Sequence, residues 1–212
     1  MKTLSGWFVV LLLAAFPGAA RAQVTGQYTG AEVLPVNGHL FGGYLDVSDH
    51  VVGLMAQLRL SFYPGVDFGF QGGPSRIDVG GASRGTVRLG ADVKIAAHHT
   101  APDAPFDLAV GGCLGVETGD NFSLFSLGPT CVASHAFHPG QVGGITPYAS
   151  ASLLFTNIDV GSLSETDLSL PLRFGAEFFA GPLMRIVGEV QLRAGDDFRD
   201  KTVFSVGVNA PF

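Results

Sequence analysis

The sequence predicts an all-β protein, a closed antiparallel up-and-down transmembrane β-barrel of about 10 strands. Polar and apolar residues alternate with a period of two along most of the chain. Hydrophobic residues make up 47% of the 212 residues and charged residues 14%, yet no segment after the N-terminal region is uniformly apolar. The chain ends in an alternating segment with an aromatic last residue. These three features are typical of strands that present one face to lipid.

Two segments show the alternation most clearly. In residues 52–62 the even positions carry Val, Leu, Ala, Leu, Leu and Phe, whereas the odd positions carry Gly, Met, Gln, Arg and Ser. Residues 168–178 separate Leu, Phe and Ala from Ser, Arg, Gly and Glu in the same way. A helix cannot separate these sets, because its period is 3.6 residues. The pattern predicts strands at 38–47, 51–63, 65–72, 86–98, 105–117, 123–137, 145–157, 166–180, 183–194 and 201–212.

Some elements are less well defined by the pattern. The segment 65–72 is short, and 123–137 contains Gly128-Pro129 and has no clear lipid face, so eight strands are the alternative. The stretches 72–85, 159–166 and 195–201 are predicted as the longer outer loops. Pro147 and Pro171 conflict with strand pairing, because proline has no N–H to donate and a closed barrel has no free edge. Each is expected at a bulge or a strand end.

The N-terminus has the pattern of a secretory signal peptide. Lys2 is followed by an apolar run from Trp7 to Phe16, and Ala20-Arg21-Ala22 fits a small-x-small cleavage site before Gln23. An uncleaved anchor is disfavoured, since the run is about half of the ~20 residues that a spanning helix needs. We expect residues 1–22 to be removed, residues 23–37 to be a periplasmic lead-in, and residues 38–212 to form the barrel.

Charged residues on the polar strand faces are predicted to point into the barrel. A small barrel has a narrow interior, so these side chains must pair with one another, because an unpaired buried charge costs several kcal/mol. The predicted interior network is either a packed salt-bridge core or a polar path for ions, and it consists of Arg59, Arg88, Asp92, Lys94, Asp107, Glu117, Arg173, Glu177, Arg185, Glu189 and Arg193.

Other residue classes indicate little chemistry. Cys113 and Cys131 lie on opposite arms of a predicted hairpin, where one disulfide or two unpaired thiols are both compatible with an exported chain. The adjacent His98 and His99 point to opposite faces of a strand, so we expect no metal site and no cofactor. A net charge of −6 without a basic cluster disfavours nucleic-acid binding. No Ser/His/acid set converges, so no catalytic residues are predicted and no enzyme activity is expected.

The last strand supports a resemblance to a known group. Its apolar face consists of Phe204, Val206, Val208, Ala210 and Phe212. Together with the signal peptide and the alternating strands, this segment resembles the small outer-membrane β-barrel superfamily, the OmpA-, OmpX- and OmpW-like or porin-like barrels of Gram-negative bacteria. The resemblance implies that the terminal segment is the signal read by the outer-membrane assembly machinery. It also implies contact with outer-membrane lipids and lipopolysaccharide, and we expect a monomer.

The expected function follows from this resemblance and remains broad. We expect an integral outer-membrane protein with a structural or envelope role, or a narrow pore. One alternative is a lipid-A-modifying barrel enzyme, which needs the convergent set that is absent from the pattern. A second is a soluble secreted barrel that binds an apolar ligand, which predicts apolar rather than charged residues on the inward face.

Overall fold

The computed structural model describes residues 26–79, 82–98, 106–138, 141–161, 163–194 and 202–212. The predicted signal peptide, its cleavage site at Ala22 and Gln23, and the predicted loop 195–201 lie outside these residues. Within the described part of the chain, no helix is long and apolar enough to span a membrane.

The described chain forms one closed antiparallel sheet. The strands are β1 His39–Ser48, β2 Val51–Tyr63, β3 Val66–Val79, β4 Ala82–His98, β5 Asp107–Gly119, β6 Phe122–Ser134, β7 Ile145–Ser152, β8 Leu154–Val160, β9 Leu163–Gly181, β10 Met184–Ala194 and β11 Thr202–Pro211. Strands that are consecutive in sequence pair with each other, except β7 and β8, and β1 pairs with β11, which closes the barrel. The predicted up-and-down barrel is therefore confirmed.

The strand count matches the predicted ten positions around the wall, with one of them divided. β7 and β8 both pair with β6 on one side and β9 on the other, so they are two halves of a single crossing interrupted at Leu153. The interruption lies beside two prolines. Leu153 donates its backbone N–H to the carbonyl of Pro129 in β6 at 3.0 Å, and Pro171 stands in β9 between the residues that pair with β7 and those that pair with β8. Missing N–H donors on both flanking strands favour a break there.

The barrel has two ends that differ in chemistry. We call the end where β1 begins and β11 ends the terminal end, and the opposite end the distal end. Near the distal end the faces exchange character: Ile77 is buried inside, whereas Arg76 and Asp78 are exposed outside and form an ion pair at 4.0 Å. In β6, Leu124 points inward and Phe125 outward. The wall thus continues past its apolar belt, with an apolar interior and a polar exterior.

This exchange corrects two expectations. The predicted outer loops 72–85 and 159–166 are mostly strand, because β3 extends to Val79, β4 begins at Ala82, β8 extends to Val160 and β9 begins at Leu163. A search for apolar residues on the outer face could not find these extensions, since their outward residues are polar. The unclear lipid face of 123–137 has the same cause, because the chain passes from Ser123 outside and Leu124 inside to Phe125 outside and Ser126 inside.

The segment before β1 lies inside the barrel. Residues 26–38 join no strand, and residues 26–34, which we call the lumen segment, run through the interior. Tyr28 is 0% exposed and Ala31 is 2% exposed. The sequence predicts a lead-in here, and nothing in its pattern indicates that barrel side chains enclose it.

Candidate functional site in the barrel lumen

Strand alternation places the polar side chains of the wall around the lumen segment. In β10, for example, Val187, Glu189 and Gln191 are buried inside, whereas Ile186 and Leu192 are exposed outside. Side chains from seven or more strands thereby converge on a space that the lumen segment occupies. The candidate site is this lining together with the segment that it holds.

Acidic side chains of the lining accept the backbone N–H groups of the lumen segment. Glu189 accepts from Gln27 at 3.1 Å and from Tyr28 at 2.9 Å. Glu177 accepts from Gly30 at 2.8 Å. Hydrogen bonds to ionised acceptors are stronger than neutral ones, so these contacts hold the segment firmly.

Further along the same segment, a hydroxyl and a third carboxylate act in the same way. Ser134 Oγ accepts the N–H of Ala31 at 2.8 Å, and Asp67 accepts that of Leu34 at 3.3 Å. The N–H contacts therefore continue from the middle of the barrel to Leu34, just before the turn that precedes β1.

Donor side chains of the lining satisfy the carbonyl groups of the segment. Lys94 Nζ donates to the carbonyls of Gly30 at 2.9 Å and Glu32 at 2.8 Å. Gln71 donates to the carbonyl of Gly26 at 3.0 Å, and Asn209 donates to that of Tyr28 at 3.0 Å. Buried backbone groups need such partners, and here the barrel side chains take the place of a neighbouring strand.

Tyr28 anchors the segment through its side chain. Its hydroxyl donates to Asp46, with distances of 2.8 Å and 2.9 Å to the two carboxylate oxygens. Its ring stacks on Tyr44 with 3.8 Å between ring centroids and 11° between planes. The Tyr44 hydroxyl in turn contacts Gln57 at 3.1 Å and Asn209. The anchor thus links the segment to β1, β2 and β11.

An ionic cluster lies on β2, β3 and β4. Arg59 contacts both oxygens of Asp92, at 2.7 Å and 3.2 Å, and pairs with Asp67, which Lys94 also approaches at 3.5 Å. Arg59 is 1% exposed and Asp67 is 0% exposed. The fork geometry of the guanidinium suits two carboxylates at once, which compensates for the removal of the charges from water.

A second cluster lies nearer the distal end. Arg88 Nε lies 3.2 Å from Glu117 and its Nη1 lies 3.7 Å from Asp46. Glu117 also accepts hydrogen bonds from Thr86 at 2.6 Å and from Ser75 at 3.1 Å. Asp46 is therefore shared between this cluster and Tyr28, so the anchor of the segment is coupled to the charges of the wall.

The remaining predicted residues lie on β5, β9 and β10. Arg173 donates to Gln191 at 2.8 Å and to Ser152 at 3.0 Å, and Arg185 pairs with Glu177 at 3.3 Å. Glu189 also accepts from Tyr148 at 2.8 Å. Asp107 lies on the inward face at the start of β5, opposite buried Ser134, and Arg193 is buried near the distal end of β10. All eleven residues predicted for the interior lie on the inner side of the wall.

Several site residues were absent from the predicted network. Asp46 and Asp67 are fully buried and central, and Gln57, Gln71, Tyr148 and Asn209 are also buried inside. The alternation did carry a signal for two of them, since Asp46 lies between Leu45 and Val47 and Asp67 precedes Phe68. No pattern within one strand could show that the partner of these residues is the segment before β1.

Both ends of the segment lie in tightly filled surroundings. Two cavities of about 20 Å³ lie beside it, one near Thr29 and Lys94 and one near Gln27 and Cys113. Each has room for about one water molecule. Toward the distal end the interior holds an apolar cluster of Val51, Ile77, Phe122, Leu124 and Ile158. A cavity of about 100 Å³ lies beside this cluster and is lined by Ile77, Thr86 and Phe122 among others, so the interior is filled around the segment and less tightly packed near the distal end.

The two cysteines are free, so the disulfide considered from the sequence is not formed. Cys113 pairs in register with Gly128 and Cys131 with Val110, three residues apart along the hairpin. An odd offset places the side chains on opposite faces of the wall. Cys113 lines the inner cavity near Gln27, whereas Cys131 is exposed outside. No group of three or more potential metal ligands occurs among the described residues.

The terminal segment forms the outer face of the closing strand. Phe204, Val206 and Val208 are exposed by 62%, 55% and 46%, Ala210 is half-buried, and Phe212 is 72% exposed beyond the end of β11. They belong to an apolar belt around the outside that also includes Phe41, Leu54, Phe70, Leu89, Phe125, Phe155 and Phe174. A belt of this kind is what a lipid-facing wall requires.

No protein-family model matches the chain, and no curated protein matches it. Solved structures that resemble it are outer-membrane β-barrel proteins. The N-terminal β-barrel domain of Pseudomonas aeruginosa OprF has 14% identity and a TM-score of 0.41, over 84% of this chain and 98% of that one. An outer membrane channel from Pseudomonas putida F1 has 12% identity and a TM-score of 0.46, over 90% and 100%. The KdgM porin has 12% identity and a TM-score of 0.39, over 82% and 99%.

Proposed function

We propose that the chain is an integral outer-membrane barrel with a structural role in the cell envelope, and that its own residues 26–34 keep its lumen closed. The apolar belt outside the closed sheet supports insertion in a bilayer. The observation that carries the closed state is the burial of the lumen segment, since Tyr28 and Ala31 lie where an open pore would hold water. The proposal includes export by the predicted signal peptide.

The lining is suited to holding a fixed occupant. Carboxylates of the lining accept hydrogen bonds from the N–H groups of the segment, and donor side chains donate to its carbonyls. These polar side chains therefore bind the segment and do not face a water-filled path for solutes. The outer apolar face of β11 supports a further part of the proposal, contact with outer-membrane lipids, lipopolysaccharide and the assembly machinery as a monomer. The narrow-pore alternative requires the segment to leave.

Planar-bilayer recording tests the closed state. The full chain is refolded in detergent, and its barrel is verified by a mobility difference between boiled and unboiled samples on a gel. We expect the folded protein to insert without discrete current steps. Replacing both Glu177 and Glu189 with Ala removes three hydrogen bonds to the segment and is expected to produce steps. Regular open steps from the unaltered protein would favour the narrow pore instead.

A further inference from the structure

The lumen recognises the segment mainly through its main chain. Eight residues of the wall hydrogen-bond to it, and seven of them bond to backbone N–H or carbonyl groups: Asp67, Gln71, Lys94, Ser134, Glu177, Glu189 and Asn209. Main-chain groups are common to every polypeptide, so a site of this kind recognises a peptide more by its backbone than by its side chains.

A few positions add selectivity. Tyr28 fills a pocket against Tyr44 and bonds to Asp46. A Cβ at Gly26 would overlap the ring of Tyr28 and lie 2.8 Å from Glu189 Oε1, and one at Gly30 would lie 3.0 Å from Ser134 Oγ. The Tyr28 ring together with Glu189 requires a small residue before the aromatic residue, and Ser134 requires one after it, a spacing that this chain presents as Gly26-Gln27-Tyr28-Thr29-Gly30.

The occupant is separate from the wall that holds it. In the part of the chain that the structure describes, the sheet consists of β1 to β11, and the lumen segment contributes no strand to it. Its covalent link is the short stretch from Pro35 to Gly38, in which Val36 is 46% exposed. Exchange of the occupant would therefore break side-chain contacts but no rung of the sheet.

We propose that the lumen is a binding site for a polypeptide segment with a Gly-x-Tyr-x-Gly pattern, and that residues 26–34 are its resident occupant, which a second peptide of this pattern can replace. The proposal rests on the filled lumen of the proposed function. It adds a ligand class, a peptide that is bound by its N–H and carbonyl groups.

The test converts the tethered segment into a free peptide. A site-specific protease sequence is inserted between Val36 and Asn37, the full chain is folded in detergent, and the linker is then cut. Fluorescently labelled peptide of residues 26–36 is added, and its anisotropy is measured on cut and uncut protein. We expect saturable binding to the cut protein that unlabelled peptide competes away, and little binding to the uncut protein, whose resident segment is held at high effective concentration.

Peptide variants distinguish main-chain recognition from nonspecific uptake. N-methylation at Gly30 removes the N–H that Glu177 accepts, and Tyr28→Phe removes the hydroxyl that bonds to Asp46. Each is expected to weaken binding about 10-fold or more. Glu32→Gln is the matched control, because the Glu32 side chain is exposed and Lys94 bonds to the backbone carbonyl of this residue. We expect its peptide affinity to change by no more than about twofold.

Two results would overturn the proposal. One is the absence of labelled-peptide binding to fully cut, folded protein. The other is equal affinity of the N-methyl and unmodified peptides, which would mean that the main chain is not recognised. Because binding is measured in detergent without a bilayer, failure here leaves the conductance test of the closed barrel unaffected.

Discussion

Replacing Glu189 with Gln is expected to loosen the lumen segment without disturbing the wall. The carboxylate is buried and accepts three hydrogen bonds, from the N–H groups of Gln27 and Tyr28 and from the hydroxyl of Tyr148. The amide of Gln has the same shape but one acceptor oxygen and no charge. In its better orientation it keeps the bonds to Tyr28 and Tyr148 and opposes the N–H of Gln27 with an NH₂ group.

The magnitude follows from that lost bond. A hydrogen bond to a charged group contributes about 1.5–3 kcal/mol, so the opening equilibrium of the segment is expected to rise roughly 10- to 150-fold. Cys113 offers a native reporter, because its thiol lines the cavity that Gly26 and Gln27 complete. In a Cys131→Ser background, the rate at which a water-soluble maleimide labels Cys113 measures the open fraction.

Glu165→Gln is the matched control, since this carboxylate is exposed on β9. The control and the unaltered protein are expected to label at the same rate, and all three proteins should keep the gel-mobility difference of a folded barrel. If Cys113 of Glu189→Gln is labelled no faster than Cys113 of the control, the hydrogen bonds of the Glu189 carboxylate do not stabilise the bound segment.

Further predictions concern the ionic clusters, the anchor, the lipid face and the thiols. Arg59→Ala is expected to destabilise the barrel by about 3–5 kcal/mol, because it leaves buried Asp67 and half-buried Asp92 without their partner. The control is Arg76→Ala, which removes an exposed ion pair and is expected to change the stability by less than about 1 kcal/mol. Thermal gel-shift measurements compare the two variants, and equal unfolding midpoints would contradict a stabilising role for the Arg59 cluster. Tyr28→Phe removes the bond to Asp46 but keeps the stacking on Tyr44, so Cys113 labelling should accelerate roughly 10-fold or more; an unchanged rate would show that the hydroxyl contributes nothing. Phe155→Arg places a charge in the apolar belt and should cost about 2–4 kcal/mol of folding in vesicles, whereas Ser123→Arg at the polar distal exterior should cost little; similar costs would contradict the change of face character. Mild oxidation should leave two titratable thiols per chain, and loss of both without a dimer would contradict the opposite-face placement.

The wall was predictable from sequence because lipid imposes one rule on every strand. In β2, Leu54 has an even number and faces outward, whereas Arg59 has an odd number and faces inward. Phe174 and Glu177 of β9 differ in the same way. The rule fails where lipid ends. Ile77 inside and Arg76 outside follow the opposite arrangement, so the distal extensions of β3 and β4 were predicted as a loop.

The lumen segment could not be predicted for a different reason. Its residues contact wall residues far away in sequence, as Tyr28 does with Glu189, and they carry no periodicity of their own. The charged lining was visible as a set of inward residues, but its partner was not. The effect of Pro129 and Pro171 also depends on residues that are distant in sequence. Each proline taken singly conflicts with strand pairing, but the two lie on the strands that flank Leu153, where the wall between β7 and β8 is interrupted.

A cross-link across the lumen tests most directly whether residues 26–34 occupy it. A Cβ at Gly30 would lie 3.1 Å from Cβ of Ser134, close to the ~3.8 Å typical of a disulfide. In a background with Cys113 and Cys131 replaced by Ser, Gly30→Cys with Ser134→Cys is expected to form a disulfide that joins the segment to β6 in the folded barrel. The control pair, Gly30→Cys with Ser123→Cys on the outer face of β6, should remain reduced. Free thiols in the first pair, both open to a bulky maleimide, would contradict the filled lumen.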